Sequence, residues 1–215
     1  ALSHASYRVI YQRRGEDHVH RRLDGGAAQE AFGGEIDEGL RFIGARPFEQ
    51  ITISSSHDGV RLVGRYYPAD NEQALMILFH GYRSTALGDF SCIHEPYLKN
   101  GRSILLVDQR AHGMSGGKAL AFGVLERLDC LDWANYADRR FGGRLPIFLD
   151  GISMGAATVM MAADLPLPES VAGIIADCGY TSPEEVIRLR IRYRHLPDAL
   201  LWPFARLGAI LFGGF

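Results

Sequence analysis

Cysteine is scarce: Cys92, Cys130 and Cys178 are the three in 215 residues, with no Cys-x-x-Cys pair and no metal-ligand spacing among them. That excludes a disulfide scaffold or a cysteine zinc site and points to reduced thiols of a cytosolic protein. Neither sign of charge is in excess. With 23 basic and 25 acidic residues the net charge is −2, so no global field recruits nucleic acid or an anionic membrane. Long apolar runs are missing too. Ala1 to Arg22 is studded with Arg, His, Asp and Glu and has no stretch of signal-peptide or membrane-spanning character. The reading is a cytoplasmic protein, with an anchor upstream of Ala1 left open. Leu200 to Phe215 is the most apolar stretch, but Pro203 and Arg206 interrupt it, which suits a buried or lid helix better than a membrane span. Repeats and low-complexity tracts are absent.

What is present is a hydrophobic content of 47%, enough for one substantial core in a chain of this length. Residues 1–46 lack a sustained period and are punctuated by Gly25-Gly26 and Gly33-Gly34, so they read as an N-terminal extension with a short helix between Glu35 and Ile43. From Phe48 the pattern changes. Glu49 to Ser54 alternates, His57-Asp58-Gly59 signals a turn, and Val60 to Tyr67 alternates again, which predicts two antiparallel strands in a hairpin. Apolar runs follow at Leu75–Phe79, Ile104–Val107, Ile147–Leu149 and Val171–Ala176, short enough to be strands buried on both faces. Helical stretches Leu87–Leu98, Val124–Arg140 and Met154–Ala163 fill the gaps, so a mostly parallel α/β sheet with right-handed crossovers is expected. At Ser182-Pro183-Glu184-Glu185 a capping box with an N1 proline opens a helix, although Leu189 to Arg194 alternates as a strand would. We read this segment as helix, which makes 47–180 the core and 181–215 a helical lid or cap.

The chemistry concentrates at Gly151-Ile152-Ser153-Met154-Gly155, directly after a strand. A serine on a sharp strand-to-helix turn has its hydroxyl thrust out at the top of the sheet, at a helix N-terminus, and small neighbours are demanded by sterics. The plain alternative is a serine N-cap at an ordinary turn. Leu78-Phe79-His80-Gly81-Tyr82 closes an earlier strand with a turn that can aim the N–H of Tyr82 at the point addressed by the N–H of Met154. Two such donors would make an oxyanion hole, each worth about 3 kcal/mol in a transition state.

Other strand ends read as structural. His80 fits a satisfied group better than a catalytic one. Asp108 to Gly117 lacks both the P-loop and the dinucleotide spacing and reads as a turn in which Arg110 and Asp108 tie loops together. Asp177 could orient a histidine, but no suitable one follows except His195, so a carboxylate capping the next turn is preferred. Cys178 reads as an inert thiol. No cofactor or metal is called for.

Five blocks in order, His57-Asp58-Gly59, Phe79 to Tyr82, Asp108 to Gly117, Gly151 to Gly155 and Asp177 to Ser182, resemble the α/β-hydrolase superfamily. Within it they are similar to bacterial serine hydrolases of the BEM46-like and serine aminopeptidase-like groups. The resemblance implies an α/β-hydrolase fold, Ser153 as nucleophile, and Tyr82 and Met154 as oxyanion donors. It also implies a small-molecule acyl substrate, most readily a carboxylic ester, with no cofactor, no metal and no nucleic acid. In that family the acid and then the histidine follow the serine in chain order, after a lid. His80, His94 and His112 precede Ser153, and His195 falls in the lid segment, so none matches. The expectation is therefore a chain lacking its last strands and belonging to a longer protein. Completion by another chain and a degenerate hydrolase-fold interaction protein are the alternatives; a homo-oligomer is left open as a separate matter.

Overall fold

The computed structural model describes residues 1–13 and 27–215. Alternation in the first half of the core produces the hairpin as expected. β1 (Glu49–Ser54) runs antiparallel to β2 (Arg61–Tyr67), with Ile51 opposite Gly64 and Ile53 opposite Leu62. The four apolar runs become β3 (Ala74–Phe79), β4 (Arg102–Asp108), β5 (Ile147–Ile152) and β6 (Val171–Asp177). The strands lie in the order β1-β2-β4-β3-β5-β6, with β4, β3, β5 and β6 mutually parallel. This is a mostly parallel α/β sheet entered through an antiparallel hairpin.

β3 is buried at every residue, and its period-two alternation feeds two different cores. Leu75, Ile77 and Phe79 pack with Cys130, Trp133, Ala134 and Ala137 of α5 (Glu126–Phe141), and with Val159 and Ala162 of α6 (Met154–Ala162). The stripe on α5 recurs at i, i+3, i+4 and i+7, the apolar face of an amphipathic helix. Met76 and Leu78 point the other way, toward Ile43 of α2 (Ala27–Gly44), Ala86 of α3 (Ala86–Asp89) and Leu98 of α4 (His94–Lys99).

Two sequence expectations are corrected here. Leu87–Leu98 was expected as one helix, but α3 and α4 are separate, joined by a 3-10 turn at Ser91–Ile93. Pro96 has no N–H, and its ring would collide with the carbonyl four residues earlier; restarting the helix at His94 places it in the first turn, where neither problem arises. Val171–Ala176 was expected to be buried on both faces. Instead β6 lies at the edge, pairs with β5 alone among the described residues, and leaves Ile175 43% exposed. A run of apolar residues cannot distinguish a central strand from an edge one, because both satisfy the same period.

Past β6 the capping signal prevails over the alternation. Ser182 Oγ accepts the N–H of Glu185 at 3.4 Å and opens α7 (Pro183–Tyr193), while Arg188 and Arg192 both reach Asp198 at 2.9 and 3.0 Å. Ile187 and Ile191, one turn apart, supply the buried face. α8 (Asp198–Gly208) carries Pro203 inside it and ends in a π-helical turn at Ala209–Gly213. Both helices, with α1 (Leu2–Ile10), meet in a third cluster over the carboxyl ends of the strands, around Tyr82, Phe122 and Met154. No helix among the described residues is long and apolar enough to cross a membrane.

Candidate active site

Ser153 occupies the junction of β5 and α6 with φ 55° and ψ −108°, a left-handed backbone that a non-glycine residue adopts only when its surroundings force it, at about 1–3 kcal/mol. The forcing is visible. The Ser153 N–H donates to the carbonyl of Asp177 at 2.9 Å, and its carbonyl accepts Ala157 N–H at 3.1 Å, so both sides of the bend are bonded. Gly155 packs so tightly on the end of β3 that a Cβ there would overlap the carbonyl oxygen of Phe79. That contact presses the bend against the turn that follows β3. At Gly81 a Cβ would stand only 3.5 Å from the Cβ of Ser153. Met154 supplies the first N–H of α6, one of those with no acceptor inside the helix.

A carboxylate braces the β3 turn: Asp89 accepts the Gly81 N–H at 2.7 Å through one oxygen and the Ser84 hydroxyl at 2.5 Å through the other. Nothing in the sequence singled out Asp89, since it lies in what reads as a helix surface. Tyr82 is buried, its hydroxyl donates to the carbonyl of Ile10 at 2.9 Å, and its ring stacks on Phe122 at 5.1 Å. The guanidinium carbons of Arg83 and Arg190 lie 4.7 and 4.3 Å from the centre of the same ring.

Hydrogen bonds define the state of the two histidines nearby. Gln109 N–H donates to His80 Nε2 at 3.2 Å and Arg83 N–H to His112 Nε2 at 3.1 Å, so each Nε2 is an acceptor and each proton sits on Nδ1. From there His80 donates to the Gly81 carbonyl at 2.8 Å and His112 to the Arg110 carbonyl at 2.9 Å. Burial pushes the pKa of His80 down to about 4 and that of His112 to about 3, the latter helped by His80 beside it. Both imidazoles are neutral braces with every nitrogen engaged. Among the described residues no imidazole is hydrogen-bonded to the Ser153 hydroxyl.

The loop after β4 is tied as the sequence suggests. Asp108 accepts Met114 N–H at 2.9 Å, and Arg110 forms a fork on Asp129 at 2.7 Å through both nitrogens and reaches Asp58 at 2.9 Å. The pair Arg110–Asp129 is buried, so it is the kind of contact whose rupture leaves an uncompensated charge. Glu126, invisible as a site residue in the sequence, is buried beside it and accepts the N–H groups of Ala121 and Gly123 at 2.7 and 2.8 Å; burial raises its pKa. Asp177 differs from expectation. Its carboxylate is exposed and caps nothing among the described residues, whereas its carbonyl holds Ser153, because the ladder of β5 and β6 runs one residue past the strand ends. Cys178 follows with φ 46°, exposed. Among the described residues no three His, Cys, Asp or Glu side chains converge as metal ligands would.

The sheet order, the hairpin entry and the strained Ser153 bend over a parallel strand define an α/β hydrolase, and solved structures agree. An esterase from Pyrococcus furiosus superposes with a TM-score of 0.61 at 24% identity, over 79% of this chain and 63% of its own. The α/β hydrolase GrgF from Penicillium superposes with a TM-score of 0.55 at 19% identity, over 69% and 53%. The uncharacterised protein YqkD of Bacillus subtilis is 30% identical over 174 residues, or 78% of this chain. Residues 70–207 match the family described as serine aminopeptidase, S33, and the chain belongs to that family. It spans 56% of the length of YqkD.

Proposed function

We propose that this chain carries the nucleophile and oxyanion region of a serine hydrolase that cleaves a small carboxylic ester. The observation that carries the reading is the strained backbone of Ser153, held against the β3 turn by Gly155 on Phe79. Strain of this kind persists where it aims a side chain, and here it sets half-buried Ser153 at the N-terminus of α6. Membership of the serine aminopeptidase family and the hydrolase fold support the same reading.

In this reading the Ser153 oxygen attacks the ester carbonyl carbon and its proton passes to a general base. The N–H groups of Tyr82 and Met154 stabilise the oxyanion. The carbon–oxygen bond to the leaving group then breaks, and that alkoxide takes the proton, which leaves an acyl-Ser153 for water to hydrolyse. His80 and His112 cannot be the base, because their nitrogens are spent and their pKa values lie far below neutrality. The reading thus calls for a base and an acid from outside the described residues. Treatment of the full-length protein with a fluorophosphonate probe tests it: labelling confined to Ser153 and abolished in Ser153→Ala is expected. A folded protein that fails to label at Ser153 would instead indicate a binding role on a hydrolase scaffold.

A further inference from the structure

The amino-terminal helix is fastened to the two loops that flank Ser153. Carbonyls at the end of a helix lack intrahelical donors, and those of α1 are taken by the β3 turn: Arg83 Nη2 donates to Val9 O at 2.7 Å and the Tyr82 hydroxyl to Ile10 O at 2.9 Å. The Arg83 cation also faces the negative end of the α1 dipole. Just beyond, Leu120 N–H donates to Tyr11 O at 3.0 Å and Arg13 N–H to Lys118 O at 2.9 Å. The guanidinium of Arg13 donates to the carbonyls of Ser115 and Gly113 at 2.7 and 2.6 Å. On its other side α1 crosses α8 at Gly208, where a Cβ would stand 2.5 Å from Ser3 O.

Between α1, α7, α8 and the β3 turn lies a mostly apolar cavity of about 520 Å³, within the roughly 300–1,000 Å³ that encloses small-molecule ligands. Ala5 and Val9 face it from α1, Ile187 from α7 and Leu201 from α8, over Tyr82 and Phe122. Among the lining residues, Tyr82 is the one that follows Gly81, where a Cβ would stand 3.5 Å from the Cβ of Ser153.

We propose that α1 is a wall of the acyl-binding cavity and that Ala5 and Val9 determine how long an aliphatic acyl group the site accepts. This rests on the hydrolase reading above, because it takes the occupant to be the acyl chain of the ester attacked by Ser153. Ala5 is small, and both residues are exposed and line the cavity, so a larger side chain at either position adds bulk at the cavity wall and not in the core.

The test uses the full-length protein with Ala5→Trp and Val9→Phe. Hydrolysis is compared on p-nitrophenyl octanoate and p-nitrophenyl acetate, and cis-parinaric acid, a fluorescent fatty acid, is titrated into Ser153→Ala with and without each change. The octanoate-to-acetate ratio of kcat/KM should fall at least tenfold in Ala5→Trp and severalfold in Val9→Phe, with parinarate affinity falling in parallel. An equal loss on both esters, or an unchanged ratio and unchanged affinity, overturns the proposal; so does weakened parinarate binding without a changed ratio in an active enzyme. Should Ala5→Trp not fold, Val9→Phe decides alone. If the parent protein hydrolyses neither ester and Ser153 resists labelling, the hydrolase reading has failed, and parinarate binding still decides whether α1 walls the cavity.

Discussion

The Ser153 bend and the cavity lined by α1, α7 and α8 are built on opposite principles. The bend is held by backbone, through two main-chain hydrogen bonds and a glycine pressed on a carbonyl, against a β3 turn braced by Asp89, His80 and His112. The cavity is held by side chains from α1 and, far from it in sequence, the consecutive helices α7 and α8, packed around Tyr82, Phe122 and Ile187. Backbone constraints admit almost no substitution, whereas apolar packing tolerates exchange among residues of similar volume. On the proposed reading, reaction chemistry and selectivity are thereby separable, one rigid and the other adjustable.

Changes on the rigid side should do the most to break that contrast. Ser153→Ala should lower ester hydrolysis by the full-length protein by roughly 10⁴-fold or more while leaving the melting temperature nearly unchanged. A small rate loss would show that Ser153 is not where the chemistry happens. Arg110→Leu should destabilise the fold by about 3–5 kcal/mol, because Asp129 is left buried and unpaired, and urea unfolding reads this directly. Gly155→Ala should lower the melting temperature by several degrees, since the new methyl must displace β3 from the bend. An unchanged midpoint would mean that the elbow is as adaptable as the cavity.

Acidity discriminates between the two regions as well. His80 and His112 have folded pKa values of about 4 and 3, depressed by burial from an ordinary 6.5. The unfolded chain therefore binds more protons below pH 6.5. Stability is fully present above that pH and falls as the pH drops toward 4, by up to about 1.4 kcal/mol per unit for each histidine. Urea midpoints across pH 7 to 4.5 should show the slope, and His112→Asn should flatten it. The smallest effect is expected in the cap: Ser182→Ala removes the N-cap of α7 and should cost about 1 kcal/mol, read as a modest fall in melting temperature.

Much of this was legible in the sequence because local rules carried it. The hairpin at Glu49 to Tyr67 followed from alternation, α5 from its place in the gap between two apolar runs, and α7 from the Ser182 cap despite a competing strand pattern. The Gly-x-Ser-x-Gly bend was legible because its glycines are demanded by backbone collisions that any sequence making this turn must avoid. Asp89, Glu126 and the wall-forming role of α1 were not. A carboxylate that braces a loop looks in sequence like any solvated one, and residues 2–10 find their partners only in remote segments, the β3 turn and α8.

By itself, then, the sequence determined the six strands, the helices between β4 and β6, the capped start of α7 and the glycine-flanked bend at Ser153, since each depends on interactions within a few residues. Only the tertiary structure decided that β6 pairs with β5 alone among the described residues, that His80 and His112 are locked neutral, and that α1 lines a cavity together with α7, α8 and Tyr82. Those outcomes depend on burial and on contacts between remote segments, which have no local signature because the free energy that fixes them arises only when the pieces meet.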